Sequence, residues 1–156
     1  MTTYSALLIP ITEFSGQYRF LSNFWSAPVT LDNVVYPTVE HAYQAAKSLD
    51  LDYRERVRLA STPGKAKRLG RTAALRSNWN VIRVDIMKAL VFDKFHQNTE
   101  LRSLLLNTDQ RELIEGNYWG DTFWGVCRGQ GLNVLGKILM EVRTKLCPTT
   151  NNETLS

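Results

Sequence analysis

The chain has 156 residues, of which 44% are apolar and 22% are charged, and its formal net charge is +4. This length predicts one domain with a sizeable core, and the composition is typical of a folded globular protein rather than a disordered or fibrous one. The sequence holds no run of about 18 apolar residues, so we expect no membrane-spanning helix.

The cysteines and histidines argue against a disulfide or metal framework. Cys127 and Cys147 are far apart, which suits a reducing compartment and predicts a cytoplasmic protein. His41 and His96 belong to no metal-ligand spacing, so we expect neither a metal nor another cofactor. The apolar run at 6–10 follows no basic segment and is interpreted as an edge strand or an N-terminal arm rather than a signal peptide.

The first predicted elements are strands. Aromatic and polar residues alternate over 14–20, which favours a strand. Two short β-prone runs follow at 27–31 and 34–36, and Asp32 and Asn33 between them tolerate the positive φ of a tight turn. We therefore expect a hairpin whose second strand leads straight into a helix.

That helix is predicted to begin near Thr38, whose hydroxyl can cap the free amides of the first turn. Glu40, Gln44 and Lys47 fall within about 60° of one another on one helix face, and His41 lies at its flank. The alanines between them favour close packing, and a charge on a buried helix must be paired or functional. An ordinary solvated helix face is the alternative interpretation.

The rest of the chain is predicted to be mainly helical, with Pro63 suited to the first turn of one helix. The predicted helices span 52–60, 63–69, 79–96, 99–106 and 134–146, and a short strand is predicted at 112–115. One apolar stripe is expected along the longest helix. Its members are Val81, Val84, Met87, Leu90, Val91 and Phe95.

Positive charge is concentrated between Arg54 and Arg83. Such a block favours an anionic partner, which is either a nucleic acid or a phosphate-bearing small molecule. A pair of solvated basic helices is the alternative interpretation. This signal therefore does not separate the two kinds of anionic partner.

The segment 116–133 is unusually rich in glycine and aromatic residues for a connector. Indole faces can stack on a base, and desolvation among aromatics would raise the pKa of Asp121. Trp119 is interpreted as a core anchor, whereas Trp124 and Asp121 are interpreted as functional. Asn23, which lies among aromatics in an earlier segment, can present its amide to a ribose or a base edge, although Asn is also a common turn residue.

Four segments in order carry a resemblance to a known family. They are Leu-Ser-Asn-Phe at 21–24, Tyr-Pro-Thr-Val-Glu-His-Ala-Tyr-Gln-Ala-Ala-Lys at 36–47, Asp-Thr-Phe-Trp-Gly at 121–125, and a Gly-x-Gly-x-Asn-x-Leu-Gly pattern at 129–136. Together they resemble the NADAR (YbiA-like) N-glycosidase family over about residues 14–147. Many members carry a basic residue beside the second glycine of the last segment, where this chain has Gln130 and Leu132.

The resemblance implies a compact, mostly helical α+β domain over 1–147, with a short N-terminal hairpin or small sheet, no metal, and a flexible polar tail at 148–156. It implies cleavage of the bond between a ribose-type sugar and a nitrogen. The expected substrate is ADP-ribose attached to guanine in nucleic acid. Phosphorylated early intermediates of riboflavin synthesis are the alternative, and a non-catalytic module that binds ADP-ribose or nucleotides is a further one. No membrane partner is expected.

By position, the resemblance implies that Glu40 and Asp121 are acid–base groups and that Lys47 is a candidate amine nucleophile. The residues expected to bind substrate are Asn23, Tyr36, His41, Tyr43, Gln44, Arg71, Trp79, Trp124, Gly125 and Asn133. From the residues alone, His41 is also explained as a structural histidine bonded to a backbone carbonyl.

Two routes are open for such a cleavage. A carboxylate such as Glu40 can stabilise the oxocarbenium character at the anomeric carbon while water attacks. Alternatively, the ring opens and a deprotonated Lys47 traps the aldehyde as a Schiff base. Lys47 follows Glu40 by seven positions, which corresponds to about 10.5 Å along a helix. This spacing lets the two groups bracket a sugar.

Overall fold

The computed structural model describes residues 8–149, and its class is the expected mostly helical α+β domain. The predicted N-terminal arm and polar tail lie largely outside the described residues. The elements in chain order are a 3-10 helix (Gly16–Leu21), β1 (Val29–Leu31), β2 (Val34–Tyr36), α1 (Val39–Ala46), α2 (Leu51–Arg58), α3 (Pro63–Gly70), α4 (Trp79–Gln97), α5 (Thr99–Leu106), β3 (Gly116–Asn117), β4 (Val126–Cys127) and α6 (Val134–Leu146).

The predicted hairpin is confirmed. β1 and β2 pair in antiparallel fashion, with Val29 opposite Tyr36. Asp32 and Asn33 have φ values of 48° and 64°, and two such left-handed residues match the right-handed twist of a hairpin. The Oγ1 atom of Thr38 then accepts from the backbone N–H of His41 at 3.1 Å, so the predicted helix cap is confirmed as well.

Helix α1 lies at the centre of the protein. All eight of its residues are buried, and it packs against α2, α3 and α4. The alanines at 42, 45 and 46 are completely buried, and their small side chains let the neighbouring helices come close. The polar face of this helix is therefore an interior feature, and the interpretation as a solvated surface is wrong.

Two strand predictions are wrong. Residues 16–21 form a 3-10 helix, because Gly16 turns the chain with a φ of 55° and Tyr18 donates its N–H to the carbonyl of Ser15 at 2.9 Å. The hydrogen bonds of this turn pair backbone N–H and carbonyl groups of the segment, which has no partner strand among residues 8–149. At 112–115 only Leu113 makes a β-bridge, to Ile11. The actual strands β3 and β4 lie inside the glycine-rich segment and pair in parallel.

The long helix α4 buries most of the predicted stripe, but Val81 is 81% exposed. Trp79 takes the inward position in that first turn, and a residue two places further on points to the opposite side of a helix. Lys94 joins the buried face instead. No helix between residues 8 and 149 has the length and apolarity to cross a bilayer.

Candidate active site

A cavity of about 360 Å³ lies between α1, the start of α4, the segment after the 3-10 helix and the segment 115–124. Three carboxylates and three cationic side chains share its walls with aromatic residues. The lining residues are Ser22, Asn23, Phe24, Glu40, Tyr43, Gln44, Lys47, Lys67, Trp79, Arg83, Met87, Glu115, Trp119, Asp121 and Trp124.

Glu40 is the most deeply placed acid of the cavity, with 7% of its surface exposed. Its Oε1 accepts from Nε2 of Gln44 at 2.7 Å, one turn further along α1. Burial raises the pKa of Glu40, while the Gln44 hydrogen bond and the charges of Lys67 and Lys47 act in the opposite direction. The carboxyl is therefore held in one orientation by its own helix.

Lys47 stands at the C-terminal end of α1 and is half-buried. Its Nζ lies 3.5 Å from the carbonyl oxygen of Gly70 at the end of α3. Burial lowers the pKa of Lys47, the charge of Glu40 raises it, and the charge of Lys67 lowers it further. An amine with a lowered pKa is what Schiff-base formation requires.

An aromatic wall made of Tyr43, Trp79 and Trp124 lines the same cavity. The ring of Tyr43 lies 5.2 Å from that of Trp79 and 5.5 Å from that of Trp124, measured between centroids. Trp124 in turn meets Phe123 edge to face at 4.9 Å, and the Arg83 guanidinium lies 4.0 Å from the Phe123 ring centroid. Such a wall offers apolar ring surface to a flat heterocycle.

Asp121 is fixed by its own loop. Its Oδ1 accepts from the backbone N–H groups of Phe123 at 3.1 Å and Trp124 at 2.9 Å. The side chain of Asn117 clamps the Asp121 backbone, accepting from its N–H at 3.0 Å and donating to its carbonyl at 2.8 Å. One carboxylate oxygen is thus committed to the loop, and Oδ2 is the oxygen left for a ligand.

Asn23 is brought to the cavity by the segment after the 3-10 helix. It is 8% exposed, its Nδ2 lies 3.4 Å from Sδ of Met87, and its carbonyl accepts from the N–H of Glu40 at 3.1 Å. The ammonium of Lys94 donates to the carbonyls of Phe20 at 2.6 Å and Ser22 at 2.9 Å. The segment is therefore fastened to both α1 and α4.

The mouth of the cavity has a cationic and aromatic rim. The Nζ of Lys67 lies 6.0 Å from the ring centroid of Phe24 and 5.6 Å from that of Trp119, within the range of cation–π attraction. Phe24 is 43% exposed and Trp119 is 56% exposed. The prediction that Trp119 anchors the core is therefore wrong, because its ring lies at the mouth of the cavity.

Comparisons with known proteins identify the family. The NADAR domain model matches residues 12–147. The chain belongs to the NADAR family. It is 41% identical over 145 residues to the N-glycosidase YbiA of Escherichia coli (89% of this chain and 88% of that protein), and 42% identical over 137 residues to a riboflavin biosynthesis protein of Vibrio vulnificus (86% and 37%). The NMR structure of E. coli YbiA superposes with a TM-score of 0.77 at 37% identity, covering 90% of this chain and 89% of that one.

The NADAR motifs converge on the cavity only in part. Eight of the predicted residues line it, and five do not. Those that line it are Asn23, Glu40, Tyr43, Gln44, Lys47, Trp79, Asp121 and Trp124. Those that lie outside the lining are Tyr36, His41, Arg71, Gly125 and Asn133.

Three of the five outlying residues belong to the core or to the surface. Tyr36 is 2% exposed at the end of β2. The ring nitrogens of His41 lie 2.8 Å from Oγ1 of Thr38 and 2.9 Å from the carbonyl of Ala60, so this NADAR motif histidine has the structural setting expected from the residues alone. Arg71 is exposed just after α3.

The other two shape the cavity wall from behind. Asn133 adopts a φ of 51°, donates its Nδ2 to the carbonyl of Leu113 at 2.9 Å and accepts at Oδ1 from the N–H of Glu115 at 3.0 Å. A Cβ atom on Gly125 would lie 2.2 Å from the carbonyl oxygen of Glu115, so only glycine fits there. Both residues therefore fix the position of Glu115.

The sequence interpretation missed several lining residues of this NADAR cavity, above all Glu115, Lys67 and Arg83. The two cations lay within the basic block but had no local feature that set them apart. Glu115 had a faint signal, because a lone acid follows the apolar pair Leu113 and Ile114. Ser22, Phe24 and Met87 were also missed as lining residues.

Proposed function

We propose that this protein hydrolyses the N-glycosidic bond that joins ADP-ribose to a guanine base. The observation that carries the proposal is that one cavity combines an aromatic wall with the carboxyl groups of Glu40 and Asp121. In this proposal Tyr43, Trp79 and Trp124 offer ring surface to the base, and Glu40 and Asp121 of the same cavity act on the sugar attached to it.

The class of the reaction follows from the relatives. The E. coli relative is named an N-glycosidase, and its alignment with this chain covers nearly all of both proteins. This chain is accordingly a hydrolase that acts on N-glycosyl bonds. The identity of the base and of the sugar substituent is the part that we propose.

The carboxyl groups suit the charge that develops during cleavage. As the bond to nitrogen breaks, positive charge grows at the anomeric carbon and the ring oxygen, and a nearby carboxylate stabilises it. Glu40 is held in place for this role by Gln44. The free Oδ2 of Asp121 is placed to orient water or a sugar hydroxyl. Lys47 supplies the amine if the reaction passes through an opened ring.

The cationic side chains support a substrate that carries phosphate. Lys47, Lys67 and Arg83 all line the cavity. Lys67 stands at the rim between two exposed aromatic rings, where a diphosphate and a second base would leave the cavity. Charge-assisted hydrogen bonds to phosphate are stronger than neutral ones. This rim favours a substrate that extends beyond one nucleoside.

A phosphoribosylamino-pyrimidine is the second candidate substrate, and the size of the cavity favours it. The volume of about 360 Å³ is near the lower end of the range of about 300–1,000 Å³ typical of small-molecule sites. Such a volume suits a single sugar and base. One of the relatives is also named a riboflavin biosynthesis protein.

Base release from both substrates tests the proposal. We expect the wild type to release the base from ADP-ribosylated guanine in DNA, and Glu40→Gln to lower kcat by about 100- to 10,000-fold while ADP-ribose still binds. Glu100→Gln, a change of an exposed glutamate on α5, serves as the matched control. Release from the pyrimidine alone would select the second candidate. If ADP-ribose binds and neither substrate is cleaved, the result would favour a non-catalytic binding module over an enzyme.

A further inference from the structure

Glu115 enters the cavity from a rigid backbone position just before β3. Its N–H donates to Oδ1 of Asn133 at 3.0 Å, and its carbonyl accepts from the N–H of Val126 at 2.9 Å. Gly125 packs so tightly against the same carbonyl that no side chain fits. Two hydrogen bonds and one close packing contact therefore fix the backbone from which the Glu115 side chain projects. A reacting group needs a position fixed in this way.

The carboxyl group itself has an unusual setting. Its Oε2 is buried and has no hydrogen-bond partner among residues 8–149. A buried carboxylate without a partner is costly, whereas the protonated form carries no charge and can donate a hydrogen bond. The other titratable or charged groups that line the same cavity are Glu40, Tyr43 and Lys47 from α1, Lys67 from α3, Arg83 from α4, and Asp121.

The electrostatic environment favours the neutral acid. Burial, followed by the charges of Asp121 and Glu40, raises the pKa of Glu115 to about 8, and only the charge of Lys67 acts against this. The carboxyl is therefore mostly protonated at neutral pH. Burial raises the pKa of Glu40 as well, so the hydrogen-bond partners of the acids have to distinguish their roles.

The other two acids have different settings. Oδ1 of Asp121 accepts two backbone N–H groups, and Oε1 of Glu40 accepts from Gln44. Both arrangements suit groups that accept hydrogen bonds. Glu115 is the one acid of the described cavity with a buried oxygen that lacks a donor, so a proton is best placed there.

We propose that Glu115 is the proton donor to the leaving nitrogen, an assignment that rests on the proposed N-glycosidase function. As the C1–N bond breaks, its electron pair moves to the nitrogen, and the proton of the Glu115 carboxyl passes to the same nitrogen. The base leaves neutral, and Glu115 is left as a carboxylate. On the direct route, water then attacks C1 and gives its proton to that carboxylate, which restores the acid and completes the hydrolysis; on the route through an opened ring, the same carboxylate can take up a proton when water hydrolyses the Schiff base.

The pH profile of Glu115→Gln tests the assignment on whichever substrate the wild type cleaves. We expect wild-type kcat/KM to fall as the pH rises through about 8, because the acid loses its proton. Glu115→Gln should lower kcat/KM by about 100- to 10,000-fold and should lack this alkaline fall. Glu112→Gln changes an exposed glutamate of the same segment and should match the wild type.

A second readout guards against a merely structural effect. Carbon-13 NMR of the wild type should show a carboxyl that titrates near pH 8 and is missing from Glu115→Gln. Circular dichroism and ADP-ribose binding should be unchanged in the variant. A Glu115→Gln enzyme with near-normal kcat/KM, or one that keeps the alkaline fall, would overturn the assignment while leaving the glycosidase function intact. An inactive wild type would overturn the proposed function itself.

Discussion

Lys47 decides between the two chemical routes at the scale of single residues. It is half-buried at the end of α1, its Nζ lies 3.5 Å from the Gly70 carbonyl oxygen and 5.9 Å from the Tyr43 ring centroid, and burial lowers its pKa. These features make the amine available to an aldehyde rather than binding it in a tight ion pair. The route through an opened ring therefore makes a direct prediction.

Lys47→Arg should abolish covalent capture of the sugar. When the wild type is incubated with ADP-ribose and cyanoborohydride, we expect intact-protein mass spectrometry to show one added ADP-ribosyl group, because reduction traps a Schiff base. Arginine keeps the charge but cannot form this adduct. Lys65→Arg, on the exposed face of α3, should still be labelled at Lys47. Equal labelling of the wild type and Lys47→Arg would favour direct attack by water.

Lys94 is a buried amine outside the cavity lining, and its ammonium contacts backbone carbonyls rather than a carboxyl group of the cavity. It is 2% exposed, and burial lowers its pKa from 10.5 to about 7. Its two hydrogen bonds hold the carbonyls of Phe20 and Ser22 and so position Asn23. The Lys94 side chain thus supports the site, although burial of its ammonium group is unfavourable for the charged form.

The titration of Lys94 predicts a rise of stability with pH. Between about pH 7 and pH 10 the unfolded chain binds more protons than the folded one, so the free energy of unfolding increases by up to about 1.4 kcal/mol per pH unit. Urea unfolding across about pH 7 to 9 should show this rise in the wild type relative to Lys94→Met. Parallel curves for the two proteins would show that Lys94 keeps its proton throughout.

At the scale of elements, the close contact of α1 and α3 controls the orientation of Glu40. A Cβ atom on Gly70 would lie 1.7 Å from Oε1 of Gln44. Any larger residue must displace the amide that donates to Glu40. Gly70 therefore links the packing of two helices to the direction of a carboxyl group.

Gly70→Ala should impair turnover by up to about 100-fold, because small displacements of a positioned group are costly in catalysis. Steady-state kinetics and thermal unfolding should be measured together. Gly64→Ala, in the first turn of the same helix, is the matched control, since a Cβ there meets nothing closer than 3.9 Å. This control should keep full activity. If Gly70→Ala also does so, the orientation of Gln44 is unimportant.

The elements that could be predicted are those with local signals. Asp32 and Asn33 supply turn chemistry, Thr38 supplies a cap, and the helices follow from caps and apolar spacing. The 3-10 helix and the parallel pair of β3 with β4 have no such signal, because residues 14–20 alternate like a strand and β3 and β4 have only two residues each. For the same reason the sequence indicated Glu40 and Asp121 through the family motifs, whereas Glu115 becomes conspicuous only once its buried, unpartnered oxygen is seen.

At the scale of the whole molecule, carboxyl groups lie inside the cavity, whereas exposed cationic side chains lie outside it. The carboxyl groups of Glu40 and Glu115 lie inside. Exposed cations lie on α3 and directly after it, and α3 also contributes Lys67 to the rim. This exposed basic surface consists of Lys65, Arg68 and Arg71. A polyanion whose modified base enters the cavity would pass over this surface.

Salt dependence separates a polymer from a free metabolite. For ADP-ribosylated DNA we expect log(kcat/KM) to fall linearly with log[salt], because each phosphate contact releases counterions from the DNA. Arg68→Gln should reduce the slope by about one unit, because the variant makes one phosphate contact fewer. Lys137→Gln, an exposed change on α6, should leave the slope unchanged. A phosphoribosyl pyrimidine bears too little charge to show such a slope. If DNA also shows none, the basic surface of α3 is only solvated, and the cavity acts on small molecules.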